Sequence, residues 1–138
     1  MSKMHSSIGA ARLALVVAGV LGLAAPAALA KGHTDKAMLE LAAKSGCLSC
    51  HQVEPGGKGP DGLAPIGPAW RDVAAKYKGD KAAEKQLTHA VLTGTNPYES
   101  HWKGKVSGLA MPPNAVAIKP ADAKRLVRWI LALEAPKQ

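Results

Sequence analysis

The amino-acid sequence predicts an all-α fold with about four helices and long connecting loops. Apolar residues recur at the helical spacing i, i+3, i+4, i+7 in four stretches, and no stretch alternates apolar and polar residues as a strand would. Two segments rich in Gly and Pro, residues 55–68 and 95–118, interrupt this pattern. The first contains nine Gly or Pro in fourteen positions, which predicts a surface loop whose Leu63 and Ile66 could pack inward.

Residues 1–30 have the pattern of a cleaved secretory signal peptide. Lys3 and Arg12 give a positive start, residues 13–25 form an apolar core, and an Ala-x-Ala cleavage pattern ends at Ala30. The core of 13 residues is shorter than the ~20 that a membrane-spanning helix needs. An uncleaved anchor is therefore the less favoured alternative, and we expect the chain to be exported.

The mature chain, residues 31–138, has the size of one small domain of 108 residues. It carries 16 Lys or Arg and 10 Asp or Glu, a net charge of +6, and its basic residues are dispersed. We therefore expect no nucleic-acid binding, and the charge suits either solubility or docking on an acidic partner.

Large apolar side chains are scarce in this domain. It has no Phe, three Trp and two Tyr, and much of its apolar content is Ala. Because a small domain has an unfavourable ratio of surface to volume, side chains alone leave the interior poorly filled. The composition therefore favours a large apolar cofactor.

The first two helices flank the first loop. The first is predicted over 33–47, capped by Thr34 or Asp35 and running into the cysteines, with an apolar stripe of Met38, Leu41, Ala42 and Ser45. The second lies within 67–80, with Pro68 near its first turn and Gly79 after it; Val73, Ala74 and Tyr77 share a face.

The last two helices flank the second loop. Asp80 can cap the third helix, and Gly94 ends it; its stripe is Ala83, Leu87, Val91 and Leu92. The fourth begins near Pro120 with Asp122 in its first turn, and its buried stripe is Leu126, Val127, Ile130 and Leu131.

The sequence "CLSCH", residues 47–51, contains both cysteines of the chain. A thiol–disulfide redox pair normally follows a strand, and none is predicted here. A zinc site would need two more ligands at recognisable spacing, and no second Cys-x-x-Cys or His-x₃₋₅-His unit exists. The pattern Cys-x-x-Cys-His is typical of covalent haem attachment.

Helical geometry favours this third hypothesis. Cys47, Cys50 and His51 are at i, i+3 and i+4, so on a helix they share one face. Both sulfurs could then bond the porphyrin vinyl groups while the imidazole reaches the iron. The motif predicts one haem c attached through Cys47 and Cys50, which would also supply the missing apolar volume.

A second axial ligand opposite His51 is expected to be Met111. It stands in an irregular segment sixty residues after His51, and Pro112 and Pro113 stiffen the backbone behind it. The other candidates are weaker: Met38 belongs to the predicted apolar stripe, and His101 is the second choice. The remaining candidates are His33 and His89.

Together these residues resemble the class I cytochromes c, in particular the small periplasmic monohaem proteins of the c-551/c-552 type. The resemblance covers residues 34–134 and rests on CLSCH at 47–51, "GPAWRDVAAKY" at 67–77, "MPPNAV" at 111–116 and the last helix with Trp129. It implies a class I cytochrome c fold wrapped around one covalently bound haem.

The resemblance also implies roles for individual residues. His51 would be the proximal ligand and Met111 the distal one, and the backbone carbonyl of Pro68 would accept a hydrogen bond from the imidazole. Trp102 would donate its indole N–H to a haem propionate, or else serve only in core packing. Asn114 would bond near the methionine sulfur, or else be a plain turn residue.

The chain departs from the family's short members at residues 54–66, a longer loop that is richer in glycine. This loop could cover or reshape one haem edge. The family's docking surface therefore cannot be transferred to this chain.

The resemblance implies a periplasmic one-electron carrier, not an enzyme, whose iron cycles between Fe(II) and Fe(III). Its partners would be redox proteins such as a cytochrome bc1-type donor, a terminal oxidase or a nitrite reductase, which it would meet as a monomer. One alternative is a five-coordinate haem enzyme or gas sensor in which Met111 does not ligate. Another is an exported thiol oxidoreductase without haem.

Overall fold

The computed structural model describes residues 27–136. In that range the chain forms four α-helices, three short 3₁₀ turns and no strand, so the predicted all-α fold is confirmed. The last helix, α4, packs against the other three. The helices are α1 (Ala27–Lys44), α2 (Trp70–Lys76), α3 (Ala83–Thr93) and α4 (Pro120–Leu131), and the turns are Cys47–Ser49, Pro60–Gly62 and Pro97–Glu99.

The predicted signal peptide lies mostly outside the described residues. The described range begins at Ala27, and the predicted cleavage site after Ala30 falls within α1. Among the described residues no helix combines the length and the apolar character needed to cross a membrane. Cleavage and export stay predictions.

Helix α1 differs from the prediction at both ends. It begins at Ala27, so Thr34 and Asp35 lie inside it and the predicted cap was wrong. It ends at Lys44, because Gly46 adopts a left-handed conformation with φ of 73° that a continuing helix does not allow. The helix therefore stops short of the cysteines. Its predicted stripe is confirmed by the buried residues Met38, Ala42 and Ser45.

Helices α2 and α3 lie within the stretches of sequence that predict them. The stretch before α2 is extended, and the helix starts at the buried Trp70. Asp80 accepts a hydrogen bond from the backbone N–H of Ala82 over 2.8 Å in the turn before α3. The N-cap of α3 is Ala82, which makes no side-chain capping bond, so the predicted cap by Asp80 was wrong. Gly94 ends α3 with φ of 83°.

Helix α4 has one buried and one charged face. Ala123, Leu126, Val127 and Ile130 are buried against the other helices. On the solvent side, Arg128 forms an ion pair with Glu84 of α3 at 3.0 Å. The amphipathic pattern therefore places α4 as predicted from its sequence.

The core is small, and the loops contribute little to it. The main cluster of buried residues is Met38, Ala42, Trp70, Val73, Ile118, Ala123, Leu126 and Ile130. Ile66 is half-buried, but Leu63 is 60% exposed, so the prediction that it packs inward was wrong. Leu63 follows the 3₁₀ turn at Pro60–Gly62 with extended backbone.

Candidate haem-binding site

The two thiols and the imidazole come together on one tight turn. The carbonyl oxygen of Cys47 accepts hydrogen bonds from the backbone N–H groups of Cys50 at 3.3 Å and His51 at 3.0 Å. The turn is a 3₁₀ segment of its own rather than a continuation of α1, which corrects the predicted helix while keeping the three residues on one turn. Both thiols are free and half-buried, and burial raises the pKa of Cys47.

The imidazole of His51 is held by one hydrogen bond. Its Nδ1 lies 2.8 Å from the carbonyl oxygen of Pro68, so Nδ1–H donates and the lone pair of Nε2 is left for another partner. Burial lowers the pKa of His51, and the bond to Pro68 opposes that effect. The neutral form that results is the one that binds metals.

Two neighbours restrict the ring further. Trp70 stacks on it, with ring centroids 6.0 Å apart and an angle of 24° between the planes. On Gly67, a Cβ would lie only 2.7–3.0 Å from three atoms of the ring. The backbone of Gly67 can therefore approach the imidazole only because it has no side chain.

Backbone hydrogen bonds connect this turn to both loops. The N–H of Gly67 donates to Cys50 at 2.8 Å, and that of Trp70 donates to Gln52 at 2.8 Å. On the other side, the N–H of Gly108 donates to Ile66 at 3.0 Å. The segment 65–70 thus lies between the cysteine turn and the loop that leads to Met111.

Met111 is held by Thr95, the second residue after the end of α3. Its N–H donates to the hydroxyl of Thr95 at 2.8 Å, and its carbonyl accepts from the N–H of Thr95 at 2.9 Å. Gly94 is so close that a Cβ would lie 2.9 Å from the carbonyl oxygen of Met111. The backbone of the predicted distal ligand is therefore bonded to a helix end.

Asn114 holds the same segment in a different way. Its side-chain amide donates to the carbonyl of Pro112 at 2.7 Å, and its backbone N–H donates to Val91 of α3 at 3.0 Å. These bonds fit the turn role, and the predicted bond near the methionine sulfur stays a prediction.

Trp102 is half-buried beside a surface cavity. The ammonium of Lys76 lies 5.4 Å from the centroid of its ring, a cation–π geometry. The cavity, of about 290 Å³, is lined by Trp102, Pro68, Gln52 and Lys105 among others. A propionate bond from its indole N–H stays a prediction.

The other candidate ligands lie in different surroundings. Met38 is 6% exposed and belongs to the core cluster. His89 is exposed on α3, and the side chain of His33 lies outside the described part of the structure. His101 is exposed and shares a hydrogen bond with the hydroxyl of Tyr77 over 2.5 Å.

Sequence reasoning missed two residues that shape the site, Gly67 and Trp70. Both flank the predicted Pro68, in the stretch Gly67–Pro68–Ala69–Trp70. A glycine directly before a proline, followed by an aromatic residue at the start of a helix, was the available signal.

A small helical domain with two thiols and an imidazole on one turn defines a class of protein that binds haem covalently. The cytochrome c family model matches residues 39–134. The chain is 44% identical over 109 residues to cytochrome c-551 of Allochromatium vinosum, covering 79% of this chain and 92% of that protein. It is 36% identical over 114 residues to cytochrome c-552 of Nitrosomonas europaea, covering 83% and 95% respectively. The crystal structure of wild-type N. europaea cytochrome c552 matches with a TM-score of 0.53 at 38% identity, covering 70% of this chain and 99% of that one.

The chain belongs to the cytochrome c family and is a small class I cytochrome c. Family membership brings one covalent haem c, and the residues present fit it. Cys47 and Cys50 supply two free thiols on the turn that carries a neutral imidazole. The predicted fold family and cofactor are confirmed.

Proposed function

We propose that this cytochrome c is a periplasmic one-electron carrier with His51 and Met111 as axial ligands of its haem iron. The observation that carries the proposal is the 2.8 Å hydrogen bond between Nδ1 of His51 and the carbonyl of Pro68, which leaves Nε2 for the iron. When bound, haem c supplies a one-electron Fe(II)/Fe(III) couple.

The surroundings of His51 suit a ligand that does not move between oxidation states. The Pro68 carbonyl accepts the Nδ1 proton, which orients the ring and makes Nε2 a stronger donor. Trp70 and Gly67 contact the ring and restrict its tilt. A ring held in this way supports fast electron transfer because little has to reorganise.

The surroundings of Met111 support the opposite ligand position. Two hydrogen bonds to Thr95 hold its backbone, and Pro112 and Pro113 stiffen the following residues. A thioether is a soft ligand that favours the reduced iron and raises its potential relative to two histidines. The pairing of His51 with Met111 therefore suits a carrier of relatively high potential.

The proposed partners are redox proteins reached by brief, small contacts. The dispersed positive charge of the mature chain would steer it towards acidic surfaces. Electrons would leave through the haem edge near Cys47 and Cys50. A cytochrome bc1-type donor, a terminal oxidase and a nitrite reductase are the candidate classes.

The alternatives differ in what they predict. An exported thiol oxidoreductase without haem is excluded, because the family carries covalent haem c. A five-coordinate haem enzyme or gas sensor, in which Met111 does not ligate, predicts high-spin ferric spectra and carbon monoxide binding by the reduced wild-type protein. The proposed carrier predicts low-spin spectra and no such binding.

Two matched substitutions test the ligand assignment. Met111→Leu removes the sulfur and keeps most of the volume, so we expect haem to stay attached while the reduced iron binds carbon monoxide. Met38→Leu makes the same change at a core position, and we expect it to leave the spectra unchanged at a cost below about 1.5 kcal/mol. Visible absorption with and without carbon monoxide is the measurement.

Low-spin spectra without carbon monoxide binding in Met111→Leu would reject Met111 as the ligand. His51→Ala should yield little holoprotein, and recovery of stable holoprotein of normal spectrum would reject the proximal role of His51. Redox titration with candidate partners would then identify the donor and acceptor.

A further inference from the structure

A continuous series of contacts leads from His51 to helix α1. Trp70 stacks on the imidazole at 6.0 Å between centroids, and Trp129 meets Trp70 edge-on at 5.7 Å with an angle of 83°. The Nε1–H of Trp129 donates to Oδ1 of Asp35 over 2.7 Å. A carboxylate in α1, one indole in α4 and another in α2 thus connect to the imidazole, although Asp35 and His51 make no direct hydrogen bond.

We propose that Asp35 is a positioning residue for His51, and that it sets the orientation of the imidazole plane through Trp129 and Trp70. The inference rests on the proposed ligation of the haem iron by His51. By this proposal the carboxylate of Asp35 in α1 affects the iron site, although it makes no direct hydrogen bond with His51.

The hydrogen bond to Pro68 does not fix the imidazole on its own. It holds one atom, Nδ1, at 2.8 Å, while the terminal torsion of a histidine has a broad energy minimum. The tilt of the ring is therefore decided by what packs against it. Trp70, 3% exposed, is the aromatic residue that stacks there.

The orientation of Trp70 depends in turn on Trp129. An edge-to-face pair has a preferred geometry, so a rotation of one ring displaces the other. Trp129 is half-buried, and its indole has a single N–H donor. Rotating the ring by half a turn would move that donor away from Asp35, so the bond selects one of two ring orientations. Close packing then transmits the choice to Trp70.

A purely structural role for Asp35, joining α1 to α4, would have a different signature. It would change the stability of the protein and leave the iron site untouched. The orientation of an axial imidazole plane determines how the unpaired electron of low-spin Fe(III) is spread over the porphyrin. The paramagnetically shifted porphyrin-methyl resonances of the oxidised holoprotein therefore report the proposed effect directly.

The test compares four variants of the full-length holoprotein with the wild type by proton NMR in the oxidised state, together with the reduction potential and Tm. Asp35→Leu removes the acceptor, and Trp129→Phe removes the donor while keeping a ring against Trp70. Asp35→Asn keeps an acceptor oxygen and should retain the wild-type pattern of porphyrin-methyl resonances. Glu84→Gln is the control, because it breaks the surface ion pair to Arg128 from α3, a helix that carries none of Asp35, Trp129 and Trp70.

We expect Asp35→Leu and Trp129→Phe to shift the porphyrin-methyl resonances in the same sense, with Asp35→Asn close to wild type and Glu84→Gln unchanged. A lowered Tm with an unchanged resonance pattern in Asp35→Leu and Trp129→Phe would reject the positioning role. If Asp35→Leu gives no holoprotein, Trp129→Phe decides alone.

Failure of the ligation itself would look different. The wild-type spectrum would then lack strongly shifted ring protons of His51, and the proposed function would be rejected before any variant is compared. Shifted His51 protons in the wild type with no change in the variants would leave the ligation in place and reject only the role of Asp35.

Discussion

The backbone of Gly67 lies against the imidazole of the proposed ligand His51, and this is possible because Gly67 has no side chain. A Cβ at this position would lie 2.7, 2.8 and 3.0 Å from three ring atoms of His51, closer than real contacts allow. The same residue donates its N–H to the carbonyl of Cys50, so its backbone cannot simply move away. The imidazole is therefore confined by backbone on one side and by the indole of Trp70 on another.

Substitution Gly67→Ala should displace the imidazole and destabilise the holoprotein. Overpacking of this kind costs about 1–3 kcal/mol, which corresponds to a fall in Tm of roughly 4–8 °C per kcal/mol for a domain of this size. Thermal unfolding of the holoprotein is the measurement. Gly57→Ala is the control, because its Cβ would meet only the flexible end of the Gln52 side chain. Equal Tm values for the two variants would contradict the steric argument.

At the scale of elements, the end of α3 and the segment around Met111 act as one unit. Thr95 bonds both backbone groups of Met111, and Val91 accepts from Asn114. Gly94, between them, has φ of 83° and lies against the carbonyl of Met111 and the ring of Pro113. The position of the proposed sulfur ligand is thus set by where α3 ends.

Gly94→Ala and Gly79→Ala can be compared because both glycines have φ of 83°. An alanine is strained at either position, and more so at Gly94, whose ψ of −179° lies in a region that essentially only glycine adopts. A Cβ on Gly79 would meet nothing within 4 Å, whereas one on Gly94 would press on Met111 and Pro113. We expect only Gly94→Ala to let the reduced protein bind carbon monoxide. Binding by both variants, or by neither, would contradict this coupling.

The ion pair between α3 and α4 should make stability depend on pH. Glu84 accepts hydrogen bonds from Nε and Nη2 of Arg128 at 3.1 and 3.0 Å, and Lys124 lies at 3.5 Å. The hydrogen bond from Arg128 is the largest cause that lowers the pKa of Glu84 below its ordinary value of 4.5. Burial opposes it, and the positive charges of Arg128 and Lys124 add to the lowering. The stabilisation by Glu84 is therefore complete at pH values above its ordinary pKa of 4.5. It is lost as the pH falls through the lower pKa that Glu84 has in the folded protein.

Comparison of Glu84→Gln with the wild type over the acid range tests this sign. The difference in Tm should be largest near neutral pH and shrink as the pH falls below 4.5, and it should be small throughout because the groups are partly exposed. Glu40→Gln, at an exposed glutamate of α1, is the control. A difference that grows on acidification would show that the sign is wrong.

For the molecule as a whole, the most important feature is the small size of its core. Of the twelve apolar residues buried in the described part of the chain, five are alanines, so side chains provide little core volume. Leu87, Val91, Leu92 and Trp102 lie partly buried at the edge of the main cluster. Haem c, attached at the cysteine turn, would add the apolar surface that these residues can pack against.

Removing the attachment should therefore remove the fold. The double substitution of Cys47→Ser and Cys50→Ser should give a chain without haem, with reduced helical content and no cooperative unfolding. Circular dichroism during heating is the measurement. Each single substitution keeps one thiol and should retain some folded holoprotein. A double variant that unfolds cooperatively with wild-type helicity would show that the side chains suffice.

Several helix ends could be predicted from the local sequence pattern alone. Gly94 ends α3 and Pro120 begins α4, because a glycine at a helix end and a proline in a first turn act within a few residues. The turn at Cys47–Ser49 was predicted as part of a helix, since the break at Gly46 depends on how α1 meets the rest of the chain. Leu63 shows the same limit: whether a loop residue packs inward depends on distant partners.

The family, the covalent haem and the helical class followed from the sequence, because a cysteine–histidine turn and helical periodicity are properties of short stretches. Only the tertiary structure revealed what surrounds the imidazole. Gly67, Trp70, Trp129 and Asp35 come from three helices and a loop, and Asp35 and Trp129 are 94 residues apart along the chain. Contacts over such separations are decided by how α1, α2 and α4 pack, because no local pattern specifies which side chains meet in the folded chain.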